Sequence, residues 1–259
     1  IEPIYDINEI QRLQDETTEA TEMIVKKGNI PLGGMKDIRN SLKRVSIGGS
    51  LNIEELVYIA DFIYVCKKVS NYSKHENKND NFPVLDPIFE IVEPSIKLEK
   101  EIRRCILDTF NIVDDATREL YDIRKNIKNA NDRIKEQLNT IIHSSTYKNM
   151  LQDFVITIRN DRFCVPIKQE YKTSFPGMIH DQSSTGATVF MEPMSIIELN
   201  NKIKTLISRE KVEIDKILRN LSEKVLEEKD NLQFNLDLLT NLDVIFARAS
   251  LSLKMNGTR

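Results

Sequence analysis

Apolar positions recur at spacings of three and four over most of the chain, and the residues between the runs set the helix ends. Ile7, Ile10, Leu13, Thr17, Ala20 and Ile24 form the first run. Asp6 with Glu9 three residues on reads as a capping box, and Gly28 as the stop. After Pro31-Leu32-Gly33-Gly34 a short helix is predicted around Met35–Val45, broken by Gly48-Gly49. Asn52 with Glu55 caps a further helix that carries Leu56, Ile59, Ala60, Ile63 and Cys66. Ser73–Asn81 (SKHENKNDN) holds no apolar residue and reads as a mobile loop. Ser95, following Pro94, starts another helix with Leu98, Ile102 and Ile106.

The pattern tightens from Asp114. Ala116, Leu120, Ile123, Ile127, Ala130, Ile134, Leu138 and Ile141 repeat in a heptad-like seam, and neither Gly nor Pro falls between Pro94 and Pro166. One helix of ~30 residues there would be about 45 Å long. Alternation then replaces the helical period. Val155–Ile158 faces Phe163–Ile167 across Asn160-Asp161, a hairpin pattern, and Gly177–Gln182 and Thr188–Met191 supply two more strand-like runs. Pro166 inside its run suggests an edge position or a bulge. Ser195 with Glu198 reads as a capping box that restarts the helix, continued by Leu199, Ile203, Leu206, Ile217, Leu221 and Val225. The apolar phase shifts near Asp230-Asn231, the expected break before Leu238, Leu239, Leu242, Ile245 and Phe246.

These elements predict a mainly α fold with a small antiparallel β insertion. Two long antiparallel helices carry the sheet at their tip, and the remaining helices form a base. The expected division is a helical core over 1–113, an ascending helix over 114–150 and a β head over 151–194. A descending helix over 195–230 and a return to the core over 231–259 complete it. The seam has two readings: burial of the two helices against each other, or coiled-coil assembly between molecules.

Composition narrows the chemistry. Only eight of 259 residues are glycine, about half the usual share. No Gly is followed by Lys, so the phosphate-cradling pattern G-x-x-x-x-G-K-[ST] is missing. His75, His143 and His180 are too scattered for a zinc motif. Cys164 with His180 would be the one nucleophilic pair, although a Cys in an alternating strand is more often a small buried hydrophobe. His180-Asp181 reads as a structural hydrogen bond before a proton relay. No catalytic site, cofactor or metal is expected in the chain. Cys66, Cys105 and Cys164 are odd in number and far apart, which suits a reducing cytoplasm. No run is long and apolar enough for a membrane helix, and no signal peptide opens the chain. Ile1 rather than Met stands first, as in an excised piece.

The net charge of −3 exerts no global pull on nucleic acid, so any contact must be local. The β segment supplies a candidate. Between Thr157 and Thr173, Arg159, Arg162, Lys168 and Lys172 oppose Asp161 and Glu170. With Asn160, Ser183, Ser184 and Thr185 they offer cations and hydrogen-bond donors of the kind that hold phosphates. The competing reading is a solvated hairpin with ordinary surface charge.

The strings Val155–Phe163 (VITIRNDRF), Val165–Lys168 (VPIK), Ile179–Pro193 (IHDQSSTGATVFMEP) and Glu198–Asn201 (ELNN) resemble the second-type MutS endonucleases of bacteria. Pro31–Gly34 with Asp37–Arg39 looks like an early segment of the same family. The resemblance implies a helical core and a lever bearing a clamp that touches nucleic-acid backbone without reading sequence. The lever is then coupled to an ATPase domain outside this chain. It further implies ATP and Mg as cofactors of the longer protein, a homodimer, and a nuclease domain, none of them within these residues. Two partners follow from it: branched DNA, in restraint of recombination, or the ribosome and its rRNA, in splitting collided ribosomes. A passive dimerisation scaffold is the remaining alternative.

Overall fold

A computed structural model describes residues 5–74 and 81–257; most of the predicted Ser73–Asn81 loop, with His75, lies outside them. Among the described residues there are eight α-helices: α1 (Ile7–Lys27), α2 (Arg39–Ser46), α3 (Ile53–Tyr72), α4 (Asp86–Glu90), α5 (Ile96–Cys105), α6 (Arg118–Ile142), α7 (Ile197–Glu227) and α8 (Lys229–Met255). The four strands are β1 (Thr157–Arg159), β2 (Arg162–Lys168), β3 (Gly177–Gln182) and β4 (Thr188–Pro193). The fold is mainly α with one small antiparallel sheet. The chain divides into two compact units, one of residues 1–113 and 216–259, the other of 114–215.

The first unit is helical. Asn52 accepts the Glu55 amide at 2.8 Å while the Glu55 carboxylate accepts the Asn52 amide at 2.9 Å, the predicted reciprocal box. Asp6 instead takes the amides of Asn8 and Glu9, so only half of the expected box forms there. The apolar stripe of α1, with Ala20 and Met23 fully buried, packs on α8. Phe89 and Phe246 meet edge to face, 6.2 Å apart, with Tyr72 against both. Polar groups fix the register: the buried Glu16 carboxylate accepts from Arg248 at 2.7 Å, and Glu19 accepts the Val84 and Leu85 amides.

Ser95 starts α5 as expected, without a side-chain cap: its hydroxyl donates to Glu228 at 2.8 Å and accepts from Asn231 at 3.0 Å. Two other helix ends differ from expectation. Asn231 and Asn235 both donate to the Glu93 carbonyl. These bonds tie α8 to the Pro94 turn and put the break at Glu228, two residues before the expected Asp230-Asn231. Ser195 lies inside a 3₁₀ turn, Met194–Ile196, so α7 starts after it.

The second unit pairs α6 with the first part of α7. Glu119 bonds Arg209, Thr117 bonds Glu213 and Arg124 bonds Glu210, an antiparallel register. The seam is therefore buried within one chain. Further along, Ala130, Ile134, Leu138 and Ile142 of α6 join Ile196 and Ile203 over Val165, Ile167, Val189 and Met191 of the sheet. The strands run β1-β2-β4-β3, all antiparallel. Asn160 and Asp161, at φ 50° and 60°, make the two-residue turn between β1 and β2. Pro166 is in an inner strand, contrary to the edge reading, and no bulge marks it. Its carbonyl accepts from Gln152, beyond the end of β1. A residue's N–H and C=O share one side of an antiparallel ladder, so the missing N–H faces this loosely paired side and β4 loses no bond. Gly177 is dictated by close approach, since a Cβ would stand 2.5 Å from the Glu192 carbonyl oxygen.

Replacing Asn52 with Ala should lower stability by about 1 kcal/mol, read as an earlier urea midpoint at unchanged slope. An unmoved midpoint would show that the capping box contributes nothing.

Candidate nucleic-acid interface

The sheet has one face on the core and one facing away; of the eight predicted residues Arg159, Arg162 and Lys168 lie on its strands and the other five in its turn and loops. Val189 and Met191 point inward, which places Phe190 and Glu192 on the outer side by alternation. Glu192 is nevertheless completely buried. Arg162 donates to both of its oxygens at 2.8 and 3.0 Å, Asn200 of α7 donates at 2.7 Å, and His180 Nε2 lies 2.5 Å away. Arg162 also donates to Asn201, and Asn200 exchanges longer bonds with the Phe163 backbone. A carboxylate out of water thus ties β2, β3, β4 and α7 together. His180 sits where the β3–β4 register slips between Ile179 and Asp181, and that irregularity turns its ring toward Glu192 rather than Asp181.

Asp181 has another partner. Arg159 lies 3.2 Å from its carboxylate, with the guanidinium stacked 4.0 Å above the Phe190 ring. Asn160 donates to the His180 carbonyl at 2.9 Å, closing the hairpin tip over β3. The predicted charge excess of residues 157–173 is therefore largely answered by two carboxylates outside that stretch, Asp181 and Glu192.

The remaining candidates lie together at the other end of the ladder. Lys168 pairs in register with Thr188, and the Gln169 amide bonds the Ala187 carbonyl, which sets the turn after β2 beside the β3–β4 loop. Lys168 Nζ donates to the Asn149 carbonyl at 3.0 Å and stays partly exposed. Lys172 is exposed; its amide donates to the Gln169 carbonyl, and among the described residues its side chain has no ion-pair or hydrogen-bond partner. Ser183 accepts the Thr188 amide and shapes the loop, while Ser184 and Thr185 are exposed. The eight candidates therefore split. Arg162, Asn160 and Ser183 build the head, Arg159 is half engaged, and Lys168, Lys172, Ser184 and Thr185 form an open rim suited to phosphate oxygens.

The nucleophilic pair does not form. Burial first, and then nearby Glu192, push the Cys164 thiol up to about 11, so it stays protonated near neutrality. Burial likewise pushes Cys66 up to about 12. Among the described residues no group of three or more His, Cys, Asp or Glu is placed to hold a metal ion. No helix of the described residues is long and apolar enough to cross a membrane.

No family model matches the chain. Curated relatives do. Endonuclease MutS2 of Lachnoclostridium phytofermentans is 44% identical over 262 residues, covering 99% of this chain and 33% of the relative. Those of Agathobacter rectalis and Acetivibrio thermocellus are 43% and 41% identical, over 99% and 98% of the chain. The chain is a MutS2-type segment. It spans about a third of the length of these relatives. Glu192 and Asn200 are the residues of this MutS2-type segment that the sequence did not single out, and His180, expected beside Asp181, is joined to Glu192 instead. Glu192 did leave a signal, as the one acidic side chain in the apolar run Val189–Pro193.

Arg162→Ala and Glu192→Ala should each destabilise the 114–215 unit by about 3 kcal/mol, and the double variant by less than the sum. Additive losses in thermal melts would show that the two side chains are not coupled. Folded protein at neutral pH should leave Ellman's reagent unreacted at Cys66 and Cys164 until denaturant is added; rapid colour in native buffer would contradict the burial of both thiols.

Proposed function

We propose that the 114–215 unit is a nucleic-acid clamp, and that α6 with α7 is the lever joining it to the rest of a MutS-like ATPase. The open rim of Lys168, Lys172, Ser184 and Thr185 carries the reading. It offers cations and hydroxyls without a base-stacking aromatic, on a sheet stiffened by the Glu192 cluster. Such a surface suits backbone contact and gives no sequence discrimination. The likeness to proteins named endonuclease supports the setting. In this reading the longer protein is a homodimeric ATPase and endonuclease acting on branched or duplex DNA. In the same reading ATP and Mg²⁺ are cofactors of the longer protein.

With only two lysines on the rim, one of them also bonded to the Asn149 carbonyl, binding by the isolated segment is weak and salt-sensitive. Titration of a labelled DNA duplex should give a log–log salt slope of about −0.9 per phosphate contacted. Lys168→Glu with Lys172→Glu should flatten that slope by about 2, at an unchanged melting temperature. Unaltered binding in that variant sinks the assigned rim. Co-sedimentation with collided ribosomes in the absence of any DNA binding would replace DNA by the ribosome as the partner.

A further inference from the structure

The 1–113/216–259 unit holds a groove of about 840 Å³ between α2 and the start of α8. Arg39, Asn40, Lys43 and Arg44 line it from α2, Lys229 and Gln233 from α8, and no Asp or Glu is among its lining residues. The local sequence makes this surface. Ile38 and Val45 are buried and pin α2, Leu42 and Ile47 give the groove an apolar floor, and Arg39 and Lys43, one helical turn apart, line it beside them. Asp37 accepts the Arg39 amide at 3.0 Å and sits 3.5 Å from its side chain. After α2 the Gly49 amide bonds the Arg44 carbonyl, and a Cβ there would stand 2.7 Å from Arg44 Cγ.

Local structure accounts for part of this charge and not the rest. Arg39 and Arg44 each meet one carboxylate through a single nitrogen, Asp37 at 3.5 Å and Glu55 at 3.4 Å, which leaves other guanidinium N–H groups open. Lys43 lies in the last turn of α2, where a cation suits the helix dipole. Lys229 is the first residue of α8, and among the described residues neither it nor Lys43 has an ion-pair partner. Four cations converging without a lining carboxylate repel one another until an anion enters. No aromatic ring lines the groove to stack a base. The spacing of Arg39 and Lys43, about 5–6 Å between Cβ atoms, lets their long side chains reach neighbouring phosphates of one strand, which follow at about 3.4 Å of axial rise.

We infer that this groove is a second phosphodiester-backbone site, separate from the β head and independent of whether the head binds. It is sequence-indifferent, and its affinity rests on Lys43 and Lys229 with Arg39 and Arg44 beside them.

The test is fluorescence anisotropy of the 259-residue chain with a 20-base-pair DNA duplex and an RNA duplex of the same sequence, at several salt concentrations. Lys43→Glu with Lys229→Glu should weaken binding at least tenfold at low salt and flatten the log–log slope by about 2. Its circular-dichroism melt should match the parent's. Lys97→Glu with Lys100→Glu on α5 changes net charge equally and should leave binding within about twofold. Lys168→Glu with Lys172→Glu, made in parallel, keeps this inference distinct from the clamp reading. A loss in the groove variant alone supports the groove and sinks the rim, and a loss in the rim variant alone does the reverse. Loss in both the DNA and RNA arms, or in one, supports the groove and names its source of phosphate. Equal losses in the groove and α5 variants would reduce the effect to net charge and overturn it. So would polyglutamate displacing the duplex from the parent as readily as unlabelled duplex does, which would make an acidic segment the occupant.

Discussion

The β head is organised around one carboxylate that has no access to water. An isolated charge in that position would cost several kcal/mol, more than a small sheet and its flanking helix ends can spare. Glu192 is tolerable because Arg162, His180 and Asn200 surround its two oxygens, and each donor comes from a different element. The constraint runs outward from there. Arg162 must leave the hairpin on the outer side, so the turn at Asn160-Asp161 needs two left-handed residues. His180 must reach inward, so β3 slips its register by one residue. Asn200 must lie in the first turn of α7, which fixes where that helix leaves the sheet. Compared with a well-packed apolar substitute, such a cluster adds little net stability. Its contribution is a single geometry, which a surface that must present loop side chains to a ligand requires.

How much of this could be read in advance follows from the range of the interactions. The helical periods of α1, α3, α6 and α8, the Asn52–Glu55 box and the Asn160-Asp161 turn are local properties, and the chain alone predicts them. What the chain alone does not show is where a distant partner joins a local pattern. Ser95 starts α5 as its identity suggests, yet its hydroxyl goes to Glu228, 133 residues away. The phase shift near Asp230 is real, but the break moves to Glu228 because Asn231 and Asn235 are held at Glu93. Pro166 looked like an edge residue because the sequence does not show how short β1 is.

The candidate site was less legible than the fold, for an electrostatic reason. Counting charges over a window of sequence treats Arg159 and Arg162 as available. A twisted sheet sets residues 20 to 30 positions apart side by side, and Asp181 and Glu192 arrive by that route. What survives is a smaller set of cations, Lys168 and Lys172, which form no ion pair among the described residues although Glu170 lies between them in sequence. Availability for a ligand is a property of the unpaired remainder, and only the three-dimensional pairing defines it.

The same criterion separates the two kinds of basic residue throughout the chain. Arg103, Arg124, Arg209 and Arg248 are abundant positive charge on paper, and all are committed to carboxylates: Glu99 and Asp61, Glu210 and Asp114, Glu119, and Glu16. Arginine's planar fork suits that use, because it satisfies two acceptors at once and holds helices in register. Lys43, Lys172 and Lys229 carry their charge on flexible stems with no ion-pair partner among the described residues. Unpaired charge of one sign is relieved when an anion is present, so it is at these lysines, rather than at the paired arginines, that the proposed phosphate contacts are to be sought.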